Sequence, residues 1–315
     1  MNIGILGTGF GGYHARLLSE MGQAGQMTVF GRNRTKLDEL EAAYGVRTTQ
    51  SVEEVLQDPS IDLIDICLPS SLHREYAVRA LKAGKHVFCE TPVCLSTEDI
   101  QALSEAEQQY GTKVMVNQFI KFDPAYRYLY DSVQAGTYGR LLSVTLRRET
   151  PPLWGDLGLA NITTNLMIHE LDMLCWLLGP TEISSVWGTA DADNRQSLVR
   201  AQFIGQHTYA DIVVSSQMPE SYPFTVSYEA YFEGGKLSFH ESEDAKGNVD
   251  TALIEHTVNG TQHITLPKHN PYEQSLRYAL DHFADSSSSI ISLTSALQSM
   301  NLAMQLRDRL SSKGV

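Results

Sequence analysis

The chain has 315 residues, 42% of them hydrophobic and 19% charged, with a formal net charge of −13. That length allows two domains and a sizeable core, and the composition is that of an ordinary globular protein. The acidic balance argues against nucleic acid or an anionic membrane as a partner, since either favours a basic face, and no apolar run reaches membrane-spanning length.

Ile3-Gly4-Ile5-Leu6 is a strand-type apolar run; Gly7, Gly9 and Gly12 follow it, and Tyr13 to Leu18 continue as a helix. Strand, glycine turn and helix in that order make the phosphate-binding turn of a dinucleotide-binding βαβ unit. Gly7 permits the tight turn, Gly9 lets the backbone approach a pyrophosphate, and Gly12 lets the helix pack on the strand, with Thr8 and Phe10 between them. The helix N-terminus offers N–H groups and positive dipole to the phosphates. Thr28 to Phe30 is the second strand, and Thr35 to Tyr44 a helix closed by Gly45. Ser51 opens a short helix with a capping box, ended by Pro59.

Ile61 to Leu68 reads as a parallel strand buried on both faces. Ser71 to Ala83 is a helix stopped by Gly84, and His86 to Cys89 is a strand running into Glu90-Thr91-Pro92. Ser96 caps a helix ending at Gly111, and Val114 to Val116 is the next strand. Repeated βα units of this kind mean a doubly wound parallel sheet that binds its ligand at the carboxyl ends of the strands.

Beyond residue 120 the pattern changes. Helices are expected over Pro124 to Val133 and Ile162 to Leu178, the latter closed by Gly179-Pro180. Phe224 to Phe232 alternates with period two, and Gly234-Gly235 turns it into Lys236 to Phe239, the mark of an antiparallel sheet with one face covered. Helices return at Tyr272 to Phe283 and Leu293 to Leu310, separated by a serine-run loop. The four cysteines show no CxxC or Cys/His ligand spacing, which reads as buried free thiols in a reducing cytosol and no metal. An N-terminus that is itself a core strand is not a signal peptide, so the expected compartment is the cytoplasm.

These segments resemble the Gfo/Idh/MocA family, named for glucose–fructose oxidoreductase and inositol dehydrogenase. The match runs through the N-terminal glycine turn, Leu68-Pro69-Ser70-Ser71-Leu72-His73, Ala80 to Val87 and Glu90-Thr91-Pro92. It continues through Phe122-Asp123-Pro124-Ala125-Tyr126, and through His169-Glu170-Leu171-Asp172 in a helix ending Trp176-Leu177-Leu178-Gly179. The resemblance implies an N-terminal Rossmann domain (1–120) and a C-terminal α/β domain (121–315) with an open, largely antiparallel sheet. The second domain would bind substrate and form oligomers, and the final helix (292–311) would pack back on the first. It also implies nicotinamide-dependent hydride transfer in a cleft between the two, with Leu68, Pro69, His73, Glu90 and Thr91 on the cofactor side.

Two departures matter. Members of the family usually carry Glu-Lys-Pro, whose lysine hydrogen-bonds the reacting oxygen, and an aspartate four residues before the motif histidine. Here Thr91 and Asn165 stand in those places, and of the three positions only His169 keeps a group that titrates near neutrality. On a helix Asn165, His169 and Asp172 share a face. His169 is therefore the expected proton-transfer group, Thr91 and Asn165 its hydrogen-bonding partners, and Asp172 a structural partner. Lys121 and Trp154, the latter in a Pro-rich loop, are candidate substrate residues together with Asn165 and His169.

The second strand runs into Gly31-Arg32-Asn33-Arg34, with glycine where NAD binders carry an acidic residue. Arg32 and Arg34, with Asn33 between them, suit a 2′-phosphate, so the expected cofactor is NADP(H) rather than NAD(H). The expected activity is hydride transfer to or from a carbonyl, imine or secondary alcohol of a small polar, sugar-like substrate. Loss of the lysine tilts this toward reduction of an activated C=N or conjugated bond. The alternative is a cofactor-binding sensor or regulatory protein that has lost its chemistry. A homo-oligomer is expected through the C-terminal sheet, since the side of the Phe224–Phe232 strand bearing Thr225, Ser227, Glu229 and Tyr231 is mixed rather than strongly charged.

Overall fold

The computed structural model describes residues 1–23, 26–283 and 289–312. By contact the chain divides into two compact units, Met1–Phe119 with Asn270–Leu297, and Ile120–His269 with Gln298–Val315. The first unit holds β1 (Ile3–Leu6), α1 (Phe10–Glu20), β2 (Met27–Phe30), α2 (Arg34–Tyr44), β3 (Arg47–Thr49) and α3 (Val52–Gln57). It continues with β4 (Leu63–Ile66), α4 (His73–Lys82), β5 (His86–Cys89), α5 (Thr97–Tyr110) and β6 (Val114–Val116). The strands form one parallel sheet in the order β3-β2-β1-β4-β5-β6, the dinucleotide-binding order, whose direction reverses between β1 and β4. Strands β1 and β4 are buried throughout, as strands covered on both faces must be.

Local chemistry sets the helix ends. Asn33 caps α2 by accepting from the Lys36 N–H at 3.2 Å, and Gly45 closes it at φ 65°. Ser96 caps α5 through the Asp99 N–H at 3.1 Å. Ser51 does not cap α3 with its side chain. Thr49 takes over instead, its Oγ1 accepting from the Ser51 N–H at 3.0 Å and donating to Glu54 at 2.5 Å, so the expected capping box gives way to a bond from the preceding strand.

The second unit carries α6 (Pro124–Ala135), β7 (Leu141–Glu149), α7 (Ile162–Asn165), α8 (Ile168–Leu178), and strands β8 (Glu182–Ala190), β9 (Ser197–Ile204) and β10 (Tyr209–Ser215). After these come β11 (Phe224–Phe232), β12 (Gly235–Glu243), β13 (Val249–Thr257) and β14 (Gly260–Ile264). They form one sheet, β14-β13-β12-β11-β7-β10-β9-β8, antiparallel except for the β7–β10 pair. Val226, Tyr228, Ala230 and Phe232 of β11 are buried, and the Tyr228 hydroxyl donates to the Ala125 carbonyl of α6 at 2.9 Å.

Two helices complete the chain, α9 (Pro271–His282) and α10 (Leu293–Ser312). Residues 270–297, placed in the second domain from sequence, belong with the first unit. Tyr272 at the start of α9 packs on Phe10 and Tyr13 of α1, and Asn270 donates to the Tyr13 hydroxyl at 2.6 Å. Only the first turn of α10 joins the first unit; from Gln298 on it belongs to the second. Most of the serine run lies outside the described residues. Among them no helix is long and apolar enough to cross a membrane.

Candidate functional site

The turns after β1, β2 and β4 enclose a cavity of about 440 Å³ at the point where the sheet reverses. It is lined by Gly7, Thr8, Gly9, Phe30, Gly31, Arg32, Asn33, Lys36, Cys67, Leu68 and Pro69. Gly7 sits at φ 119°, and a Cβ there would lie 2.5 Å from the Cys67 carbonyl oxygen. Gly9 faces open space, with nothing within 4 Å of a Cβ, and begins α1 without a side-chain cap. An uncapped helix start with an open backbone approach fits the pyrophosphate of a dinucleotide.

The close helix–strand contact assigned to Gly12 is made by Gly11. A Cβ on Gly11 would lie 3.0 Å from Ile5 and 3.3 Å from Cys67, whereas one on Gly12 would meet only Leu40 of α2 at 3.5 Å. Phe10 does not line the cavity; its exposed ring packs on Tyr13, His14 and Tyr272.

At the end of β2 the structure divides the expected anion-binding group. Arg32 lines the cavity, while Arg34 turns away along α2 to Asp38 and Glu41, so it is not a cavity residue. The Asn33 side chain is spent on capping α2. Lys36, which the sequence reading passed over, lines the cavity beside Arg32. Its signal was available: a cation in the first turn of the helix that follows the second strand. Gly31 is required by packing, since a Cβ there would lie 2.3 Å from the Thr8 methyl.

His73 is not a cofactor contact. It is buried, with Nδ1 2.8 Å from the Pro92 carbonyl and Nε2 2.7 Å from the Leu68 carbonyl, so it ties the loop after β4 to the loop after β5. Thr91 lies half-buried in that second loop, one residue after Glu90.

Beneath these loops lies a charged cluster that sequence motifs did not reveal. His14 on α1 is completely buried, with Nδ1 2.8 Å from Asp65 Oδ2 and Nε2 3.0 Å from Glu90 Oε1. Burial alone lowers its pKa, but the charge and hydrogen bond of Asp65, with Cys67 adding to them, hold it well above the usual histidine value. His14, Asp65 and Cys67 bring three possible metal ligands within 4.8 Å of one another, which the cysteine spacing gave no reason to expect. Two ligands of one tetrahedral zinc stand about 3.3 Å apart given Zn–N and Zn–O lengths near 2.0–2.1 Å. The 2.8 Å separation of His14 and Asp65 is therefore that of a charge-assisted hydrogen bond.

In the second unit the expected single helix 162–178 is two helices, broken at Leu166-Met167. Asn165 consequently ends α7 as an exposed residue, accepting from the Thr164 hydroxyl at 3.1 Å, and does not stack one turn below His169. His169 is half-buried on α8. Burial and then the Arg148 charge push its pKa well below the usual value, so it does not titrate near neutrality unaided as its residue type suggested. Arg148 is itself buried and clamped by both oxygens of Glu170, at 2.8 and 3.1 Å, with its guanidinium 5.5 Å from the Phe224 ring centre.

Lys121 is wholly buried, its Nζ 3.3 Å from Asp172 Oδ1, which removes it from contact with a diffusing substrate. Burial raises the Asp172 pKa to about 6 despite the lysine, and lowers that of Lys121 despite the aspartate. Trp154 is 52% exposed in its loop, its edge against Phe224 with ring centres 5.2 Å apart.

A family model described as "Oxidoreductase family, NAD-binding Rossmann fold" matches residues 1–118. Over that segment the chain is similar to the Gfo/Idh/MocA oxidoreductases. A myo-inositol 2-dehydrogenase of Thermotoga maritima is 28% identical over 184 residues, 57% of this chain and 55% of that protein. The chain thus matches about half the length of this curated relative. The fold is shared with a putative NADPH-dependent oxidoreductase from Desulfitobacterium hafniense, at TM-score 0.83 and 15% identity over 99% of this chain and 95% of that one. It is also shared with a 3-ketoreductase from Actinomadura kijaniata solved with NADP, at TM-score 0.80 and 17% identity over 97% and 96%.

Proposed function

We propose that the chain is an NADP(H)-dependent oxidoreductase acting on a carbonyl, imine or secondary alcohol of a small polar, sugar-like substrate. The observation that carries the cofactor choice is the end of β2. Gly31, Arg32 and Lys36 line the cavity there, and among the described residues no carboxylate does. NAD binders use an acidic residue at this point to hold the ribose 2′-hydroxyl, and two cations with no acid suit a 2′-phosphate. Gly9 and the start of α1 would take the pyrophosphate, with Leu68 and Pro69 forming the opposite wall. A nicotinamide held in this way supplies or accepts the hydride. The sugar-like substrate is supported by the inositol dehydrogenase and 3-ketoreductase named among the similar proteins.

In this reading His169 is a hydrogen-bonding partner of the substrate. Held neutral, it is suited to accepting a proton and poorly suited to donating one at neutral pH. The discriminating assay is NADPH oxidation by a panel of keto-inositols and keto-hexoses, with His169→Ala as control. Turnover should fall by about 10²-fold in the variant while NADPH affinity is unchanged. NADPH binding without turnover on any member of the panel favours the non-catalytic sensor.

The second unit also suggests a homo-oligomer. Ile204, Tyr209, Ser143 and Tyr231 pair in sequence across β9, β10, β7 and β11, and Ile204, Tyr209 and Tyr231 are 46%, 47% and 41% exposed. They make a row on a sheet face of the kind a second subunit covers, and Trp187 of β8, opposite Arg200 and outside the row, is exposed as well. A monomeric mass in light scattering at micromolar concentration contradicts this.

A further inference from the structure

We propose that Glu90, governed by the buried His14–Asp65 pair, is the proton-transfer group of the first unit and does the work of the lysine that position 91 lacks. The proposal rests on the oxidoreductase reading above. Glu90 follows β5 directly, at the same end of the sheet as Cys67, Leu68 and Pro69 after β4, which line the cavity. That is the end at which a doubly wound sheet binds its ligand.

The geometry around Glu90 is that of a relay. Asp65 Oδ2 lies at 2.8 Å from one nitrogen of His14, and Glu90 Oε1 at 3.0 Å from the other. A neutral imidazole has a single N–H and would turn a lone pair toward one of the two carboxylates; the imidazolium satisfies both. The contact with Asp65 is an aligned hydrogen bond, while that with Glu90 is an ion pair off the hydrogen-bond line. Asn117, directly after β6, donates its Nδ2 to the same Oε1. Among the described residues the side-chain bonds to Glu90 therefore gather on Oε1, leaving Oε2 of a side chain that is 14% exposed. The groups facing His14 are Asp65 of β4, Cys67 directly after β4, Glu90 after β5, and the rings of Phe10, Tyr13 and Phe88. Cys67 Sγ stands 3.4 Å from Nδ1.

The chemistry requires such a group. When a carbonyl carbon accepts a hydride, its C=O π pair moves to oxygen, and that oxygen needs a proton. A threonine hydroxyl at 91 is far too weak an acid, and His169 is held in its neutral form. In the relay, the ionised Glu90 takes the proton from Nε2 of His14 and, as its carboxyl turns outward, passes that same proton to the substrate oxygen, ending ionised again. The ring is left neutral, with its Nδ1–H still donated to Asp65. Solvent returns the proton through Glu90. Oxidation of an alcohol runs the same sequence backwards.

Two measurements without turnover test this. In protein labelled with ¹⁵N-histidine, with His14 assigned from the spectrum of His14→Gln, both ring nitrogens should show imidazolium shifts at pH 8. Glu90→Gln should lower the titration midpoint by at least about tenfold in proton affinity. A neutral ring at pH 7, or a midpoint that Glu90→Gln leaves in place, overturns the proposal. Second, NADP⁺ carries a positive nicotinamide that NADPH lacks, so its binding in weak buffer at pH 8 should release protons, and NADPH binding should release far fewer. The release should vanish in His14→Gln and Glu90→Gln while both variants keep a wild-type circular dichroism spectrum. Equal release by the two cofactors, or by the variants, contradicts the relay. Failure of the wild type to bind either cofactor by fluorescence defeats the oxidoreductase reading instead, independently of the histidine spectrum.

Discussion

His14 of the first unit and His169 of the second are both helix histidines withdrawn from bulk water, and their neighbours drive them to opposite charge states. Two carboxylates, Asp65 and Glu90, bracket His14. His169 lies under the influence of Arg148, whose own charge is answered by Glu170 rather than by the histidine. Desolvation acts in the same direction on both rings; at His14 the Asp65 charge overcomes it, while at His169 the Arg148 charge adds to it. One unit keeps a proton in store and the other keeps a site empty for one.

The comparison is broken most severely at Arg148. Arg148→Met leaves Glu170 buried without its cation, and loss of one partner of a buried pair costs about 3–5 kcal/mol. Urea denaturation should show a drop of that order, and the pKa of His169 should rise once the cation is gone.

The pH dependence of stability sharpens the contrast, with a smaller effect. The folded pKa of His14 lies above the unfolded value of about 6.5, so its contribution is complete below that pH and is lost as pH rises through the folded pKa. For His169 the folded pKa lies below the unfolded one, so stability falls as pH drops from about 6.5 through the lowered value. The His14 contribution amounts to about 1.4 kcal/mol for every pH unit between its two pKa values. His14→Gln should flatten the alkaline side of the stability profile, and His169→Asn the acid side. A variant that flattens the wrong side contradicts the assignment. The smallest effect is expected at Arg34, whose exposed ion pairs are worth about 0–1 kcal/mol. Arg34→Ala should leave NADPH affinity unchanged, whereas Arg32→Ala should not.

What the sequence made legible follows from where the information is local. The glycine turn, the parallel sheet and the helix ends at Ser96 and Gly45 are written in neighbouring residues, whereas Asn33, read as a cofactor residue, caps α2. The role of Gly11 was missed because GxGxxG spacing draws attention to Gly12, and only the packing of Ile5 and Cys67 separates the two. Arg34 was misplaced because an arginine near a phosphate site and an arginine four residues before an aspartate look alike until the side chain is placed. The break at Leu166-Met167 is silent in a run that is helix-compatible throughout, so the supposed stacking of Asn165 on His169 did not survive folding. The His14 cluster joins α1 to residues 51 and 76 positions away, and no short-range pattern encodes a contact of that kind.

On the proposed function, the cavity at the end of β2 is made for a 2′-phosphate. Fluorescence titration of NADPH and NADH against the wild type, Arg32→Ala and Lys36→Ala tests this most directly. The wild type should bind NADPH at least about tenfold more tightly, roughly 1.4 kcal/mol of preference. Each substitution should weaken NADPH while leaving NADH nearly unchanged. Equal or tighter binding of NADH by the wild type, or equal weakening of both cofactors in the variants, would contradict it.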